Sequence, residues 1–183
     1  MPAASGDEPT VLTIGHSTRP LDELLALLKE HGVTLLVDVR AVPGSRRNPQ
    51  FNRDDLARAL EKAGIRYTHA AGLGGLRRAR PDAPNAGWRN PAFRGFADYM
   101  RTDAFEESLG SLMEAAREER VAIMCAEALP WRCHRSLISD ALTVRGERVA
   151  HIMGPGKMQP HRVTPWARVE GERITYPPPL DAG

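Results

Sequence analysis

The sequence predicts an α/β fold: three layers, with a mainly parallel sheet of about five strands and helices on both faces. Short apolar runs, such as Val121-Ala122-Ile123-Met124, alternate with stretches whose leucines and alanines recur at helical spacing. Glycines at Gly32, Gly64 and Gly146 fall where those helical patterns stop. A chain of 183 residues, 42% hydrophobic, is long enough for one domain with a sizeable core.

Val11-Leu12-Thr13-Ile14-Gly15 reads as the first strand, ending at His16-Ser17. Thr18 is placed to cap the next helix, Pro20 suits its first turn, and Asp22 and Glu23 oppose the dipole there. Leu21, Leu24, Leu25 and Leu28 mark its apolar face. Thr34-Leu35-Leu36-Val37 is a second strand running into Asp38-Val39-Arg40, followed by a turn-rich segment over 43–49. Residues 54–63 read as helix and Ile65-Arg66-Tyr67-Thr68 as a third strand. Residues 71–91 are aperiodic and rich in Gly, Arg, Pro and Asn; so long a loop inside a domain is usually a binding element or cover. Residues 93–100, then Phe105, Leu109, Leu112, Met113 and Ala116, give two helices before the fourth strand at Val121. Cys125 ends that strand and Cys133 opens the next helix, whose apolar residues are Leu137, Ile138, Ala141 and Leu142. Arg148-Val149-Ala150-His151-Ile152 is the fifth strand. The organisation is a flexible N-terminus over 1–10, one α/β domain over 11–153, and a proline-rich tail over 154–183 packed on it, with a short strand at Arg173-Ile174-Thr175-Tyr176.

Parallel sheets bind ligands outside the carboxyl ends of their strands, and polar residues collect there. His16 and Ser17 follow the first strand, Asp38 and Arg40 the second, His69 the third, Cys125 and Glu127 the fourth, and His151 sits near the end of the fifth. Cys125-Ala126-Glu127 and Cys133-His134-Arg135 place both cysteines, a carboxylate and a histidine in one segment. A helix N-terminus flanked by Arg132, His134 and Arg135 favours the Cys133 thiolate, whereas Glu127 and an apolar strand disfavour that of Cys125. The candidate catalytic set is Cys125, Cys133, Glu127, His134, His16 and Asp38, with Ser17, Arg40, Arg135, Arg77 and Arg78 for substrate. The same residues have plainer uses: cysteines as core packing, Asp38 with Arg40 as an ion pair, and His16 as a local hydrogen-bonding group.

A net charge of +2 does not imply nucleic-acid binding, but Arg46, Arg47, Arg77, Arg78, Arg80, Arg89 and Arg94 lie in loops and would attract an anion if gathered on one face. The N-terminus has no signal-peptide pattern and no run approaches the roughly 20 apolar residues of a membrane span. A cytoplasmic protein with no membrane partner and reduced thiols is expected, with a transient Cys125–Cys133 disulfide compatible. The pattern selects no particular cofactor.

Thr13-Ile14-Gly15-His16-Ser17, Asp38-Val39-Arg40 with Pro43 and Ser45, Leu73-Gly74-Gly75, and Cys125-Ala126-Glu127 before Cys133-His134-Arg135 together resemble the family called domain of unknown function 488. The resemblance implies the same fold and an enzymatic site, without naming a reaction. A weaker resemblance is to rhodanese-like domains, in which a strand ending Asp-Val-Arg lies near one ending in a catalytic cysteine. Their anion cradle wants exposed N–H groups, and Glu127, Leu129, Pro130 and Trp131 supply charge, bulk and a missing donor instead.

The leading reading is a small enzyme acting on an anionic substrate, such as a nucleotide or nucleic acid. Alternatives are a zinc or iron site drawn from Cys125, Cys133, His134 and His16, in which adjacent Cys133 and His134 are expected to diverge on a helix; a non-catalytic module binding nucleic acid or protein, with structural or redox-sensing cysteines; and rhodanese-like sulfurtransfer.

Overall fold

Along the strands, successive side chains point to opposite faces, and this alternation fixes the layers of the computed structural model, which describes residues 8–81 and 84–179. In chain order the elements are β1 (Val11–Gly15), α1 (Leu21–Glu30), β2 (Leu35–Asp38), α2 (Arg53–Lys62), β3 (Arg66–His69), α3 (Pro91–Tyr99), α4 (Asp103–Glu118), β4 (Val121–Cys125), α5 (Arg135–Val144), β5 (Val149–Gly154), β6 (Lys157–Pro160), β7 (Arg168–Glu170) and β8 (Arg173–Thr175). Val11, Val37, Ile123 and Val149 share one core with Phe96 of α3, Phe105 and Leu109 of α4, and Leu137 of α5. Leu12, Ile14, Leu36, Met124 and Ile152 face the other way, onto Leu24 and Leu28 of α1, Leu56 and Leu60 of α2, and Phe51. The fold is α/β, as its sequence predicts.

The six-stranded sheet has the order β3-β2-β4-β1-β5-β6. Its first five strands pair in parallel and β6 runs antiparallel to β5. The helices α1 and α2 cover one face while the chain moves outward from β1 to β3; α3, α4 and α5 cover the other as it returns through β4 to β5. Strand β4 therefore lies between β1 and β2, whose outgoing connections leave over the opposite face. The loops part at its carboxyl end, which is where a crevice forms in an open parallel sheet.

Three local features differ from expectation. Thr18 does not cap α1, which starts after Pro20; Ser17 adopts a left-handed φ of 50° and Arg19 N–H bonds His16 O, so a tight turn separates strand from helix. Strand β6 is an addition, reached through a Pro155-Gly156 turn with φ +66° at Gly156. Its four residues are exposed, so no apolar alternation announces it. The residues expected as a single short strand form one arm of a separate β7–β8 hairpin.

The segment after β5 is fastened to α5 by Asp140. Its carboxylate accepts from Tyr176 Oη at 2.7 Å, Thr164 Oγ1 at 2.8 Å, Thr164 N–H at 3.1 Å and His161 Nε2 at 2.7 Å. Trp88 packs edge-on against Trp166, and Asn85 Oδ1 accepts from Tyr176 N–H, so the second half of the long loop lies against this segment. At the other end, Arg120 Nη1 donates to Pro9 O at 2.6 Å and Thr10 N–H to Arg148 O at 2.8 Å; residues 1–7 of the expected flexible N-terminus lie outside the described residues. Among the described residues no helix is long and apolar enough to cross a membrane.

Candidate functional site

Gly15, at the end of β1, sits opposite Cys125 at the end of β4. A Cβ on Gly15 would come 1.9 Å from Glu127 O, so the chain leaving β4 can cross over β1 only because that position is glycine. The chain then makes a 3₁₀ turn at Pro130–Arg132, is extended at Cys133 (φ −131°, ψ 147°), turns helical at His134, and enters α5 at Arg135.

Cys133 thus precedes the helix rather than riding on it, and this corrects the expectation that it diverges from His134. Its Sγ lies 3.6 Å from His134 Nδ1, and Cys125 Sγ joins them so that all three donor atoms fall within 4.8 Å of one another. His134 Nε2 lies 2.9 Å from Val39 O and 3.0 Å from Leu73 O. Carbonyls only accept, so Nε2 carries a hydrogen and the ring is held with its Nδ1 toward the sulfurs. Gly75 passes over this ring; a Cβ there would lie 2.7 Å from Nδ1.

The two thiols are driven apart in acidity. Cys133 is pulled down to about 6, chiefly because the Cys125 thiol donates to it; burial opposes this, and the Arg135 guanidinium and backbone N–H, the latter 3.4 Å from Sγ, assist. Cys125 is pushed up to about 12 by the same pairing and by burial, with His134 acting against both. Glu127 is not the cause, since its carboxylate turns back to accept Leu129 N–H at 3.1 Å.

Asp38, Arg40 and His16 form a second, buried group. Arg40 Nε lies 2.9 and 3.1 Å from the two Asp38 oxygens, and Nη2 lies 2.7 Å from Oδ2. Tyr67 Oη donates to the same carboxylate at 2.5 Å, and burial followed by that bond pushes the phenol well up. His16 gives its Nδ1 hydrogen to Ser17 O at 2.8 Å and stacks on Phe51, leaving Nε2 to accept from Arg40 Nη1 at 3.4 Å. Burial lowers the His16 pKa, which keeps the ring neutral beside the guanidinium.

A cavity of about 410 Å³ opens over the cysteines. Arg40, Asn90, Cys125, Glu127, Arg132, Cys133 and His134 contribute polar groups to its wall, and Ala41, Val42, Leu76, Ala92 and Phe93 give it apolar surface. His16 and Asp38 are buried behind Arg40 and do not line it. Arg135, 1% exposed, donates Nη1 to Thr13 Oγ1 at 3.0 Å and Nη2 to Glu127 O, bracing the loop from beneath. Arg77 folds over the Tyr99 ring at 3.7 Å and bonds Gly74 O and Ala71 O; Arg78 is exposed. The long loop meets the cavity at Gly75, Leu76 and Asn90. His151 is opposite Thr13, in mid-sheet under α5 rather than at the rim. Sequence reasoning did not single out Tyr67 or Gly75; only the glycine, within Leu73-Gly74-Gly75, carried a signal.

A family model described as domain of unknown function DUF488 matches residues 20–142. The chain belongs to this family. The DUF488 match spans both halves of the Cys/His segment and the Asp38-Val39-Arg40 strand, and starts just after His16 and Ser17. No curated protein and no solved structure matches the chain.

Proposed function

We propose that this DUF488 protein is an enzyme whose reaction centre is a zinc- or iron-class ion held by Cys125, Cys133 and His134, acting on an anionic substrate in the cavity above. The observation that carries the reading is the meeting of three donors of the right kind within 4.8 Å at the cavity wall. A nucleophilic Cys–His pair needs two groups, and the third on the same point makes a ligand set. Three protein ligands with a fourth position left open are the usual plan of catalytic zinc, and thiolate with imidazole selects zinc or iron over magnesium or calcium. The Nε2–H bonds of His134 to two carbonyls and the Arg135 N–H bond to Cys133 Sγ are the outer contacts that orient such ligands.

An ion there would acidify a bound water for attack on an electrophilic substrate. Glu127, on the cavity wall, is the carboxylate to accept its proton, and Arg132 and Arg40 face the substrate's negative charge. Asp38, Tyr67 and His16 are positioning residues acting through Arg40. The reading takes the protein as cytosolic, where thiols stay reduced. Cobalt titration of metal-free protein tests it: one equivalent should bind with thiolate-to-metal charge-transfer absorption, and Cys125→Ser, Cys133→Ser and His134→Ala should each weaken binding at least tenfold. Absence of those bands, or their survival in Cys133→Ser, would refute the metal centre.

A second reading, Cys133 as nucleophile, is favoured by the acidity split. In metal-free protein, iodoacetamide should then alkylate Cys133 with a rate midpoint near pH 6, and Cys125→Ala should move that midpoint upward. Alkylation only above pH 8 in both forms would remove this reading.

A further inference from the structure

We infer that the cavity takes single-stranded nucleic acid, with one unpaired base entering beside the Cys/His centre and the phosphates crossing a rim of arginines. This deepens the enzyme reading, since it names the substrate class of the same cavity. Segments 41–52, 74–94 and 126–132 supply most of the cavity wall and contain no lysine; Asp82 and Glu127 are their only acids. Elsewhere the chain carries more acids than bases, so a net charge of +2 conceals strong polarity.

Arg46, Arg47, Arg78, Arg89 and Arg132 on these segments are exposed, and their guanidinium groups have no hydrogen-bond or ion-pair partner among the described residues. Unpaired exposed arginines also occur elsewhere, as at Arg101 and Arg117, so what sets these five apart is their place: Arg132 lines the cavity, Arg46 and Arg47 follow the lining Gly44, Arg78 follows the lining Leu76, and Arg89 precedes the lining Asn90. The five lie on three separate segments that each contribute to the cavity wall, an arrangement that matches charges repeated along a chain better than one small anion.

Inside this rim the wall turns apolar. Val42 and Leu76, 69% and 75% exposed, line it with Phe93. Apolar surface beside a cationic track is what an unstacked base with its phosphate requires. At about 410 Å³ the cavity falls in the range of about 300–1,000 Å³ typical of ligand sites. A duplex would first have to expose the base, at a cost a single strand does not bear.

Fluorescence anisotropy with labelled ten-nucleotide strands tests the inference on the full chain. A single strand should bind with affinity that falls as salt rises; the duplex of the same sequence, and an abasic strand of equal length, should each bind at least tenfold more weakly. The exposed double changes Arg46→Gln with Arg47→Gln, and Arg89→Gln with Arg132→Gln, should weaken binding and flatten the salt dependence, and Leu76→Asp should weaken it without flattening. Equal affinity for the abasic strand, the duplex or heparin would reduce the rim to general electrostatics and overturn the proposal, as would unchanged binding by both arginine variants. Strand binding without a metal centre would fault the enzyme reading alone, and a metal centre without strand binding would fault this inference alone.

Discussion

Gly75 brings no functional group to the reaction centre, yet the orientation of His134 depends on it. With a Cβ at 2.7 Å from Nδ1 and 2.9 Å from Cγ, alanine there must tilt the imidazole away from the sulfurs or off its two carbonyl bonds. Gly75→Ala should weaken cobalt binding by about 10–100-fold, the scale of lost outer contacts at metal sites. Gly110→Ala is the control: nothing lies within 4 Å of its added Cβ, and in the helix interior alanine is favoured over glycine by about 1 kcal/mol. Equal cobalt affinity in the two variants would show that the ring need not be held. Arg40 depends on its surroundings in the same way. Its pairing with Asp38 is almost wholly out of water, and removing one partner of such a pair typically costs about 3–5 kcal/mol. Loss of activity on changing Asp38 is therefore informative only when Asp38→Asn is compared with Asp38→Ala for folding.

Among the elements, α5 is where the sequence misleads most. Leu137, Ile138, Ala141 and Leu142 mark an amphipathic helix, yet Ser136, Ser139 and Asp140, which look like its wet side, are buried too. The cause lies twenty to forty residues downstream, where His161, Thr164 and Tyr176 return to saturate Asp140. Asp140→Ala leaves those donors buried without an acceptor and should destabilise by about 3–5 kcal/mol; Tyr176→Phe, which removes one bond of four, by about 1–2 kcal/mol. Urea titration gives the magnitudes. Proteolytic cleavage within 155–179 should appear early in Asp140→Ala, and an intact segment would show that Asp140 is not its anchor. Strands β1, β2, β4 and β5 were legible because each is buried on both faces and reads as a mostly apolar run, interrupted only by Thr13, Asp38 and His151. Strand β6 was not, because pairing with β5 rather than burial holds it, and only Pro155-Gly156 marked the turn. The Cys/His segment was legible as chemistry, but the convergence of its donors depends on Cys133 being extended, a backbone choice that side-chain periodicity does not report.

Across the whole molecule, one chain of hydrogen bonds runs beneath α5 from the loop at the site to the C-terminal segment. Arg135 donates to Thr13, Thr13 Oγ1 to His151 Nδ1 at 2.7 Å, His151 Nε2 to His161 Nδ1 at 2.9 Å, and His161 Nε2 to Asp140. Every group has its partner only while His151 is neutral. Burial first, then the neighbouring His161 and Arg135, lower its pKa to about 3, and burial lowers His16 in the same direction. An unfolded histidine titrates near 6.5, so below that pH the unfolded chain takes up a proton that the folded one refuses. The histidine contribution to stability is therefore full above about pH 6.5 and falls as pH drops toward 3, by up to about 1.4 kcal/mol per pH unit for each such histidine. Between pH 6.5 and 5 ordinary carboxylates are still ionised, so the histidines dominate the slope there. His151→Gln, whose amide can still donate to His161, should fold with a visibly shallower loss of urea-unfolding free energy across that window, while above pH 7 both proteins keep one common slope, set by the lowered Cys133 thiol. Parallel slopes would mean that His151 protonates in the folded state, and the direction of the hydrogen-bond chain would have to be reversed.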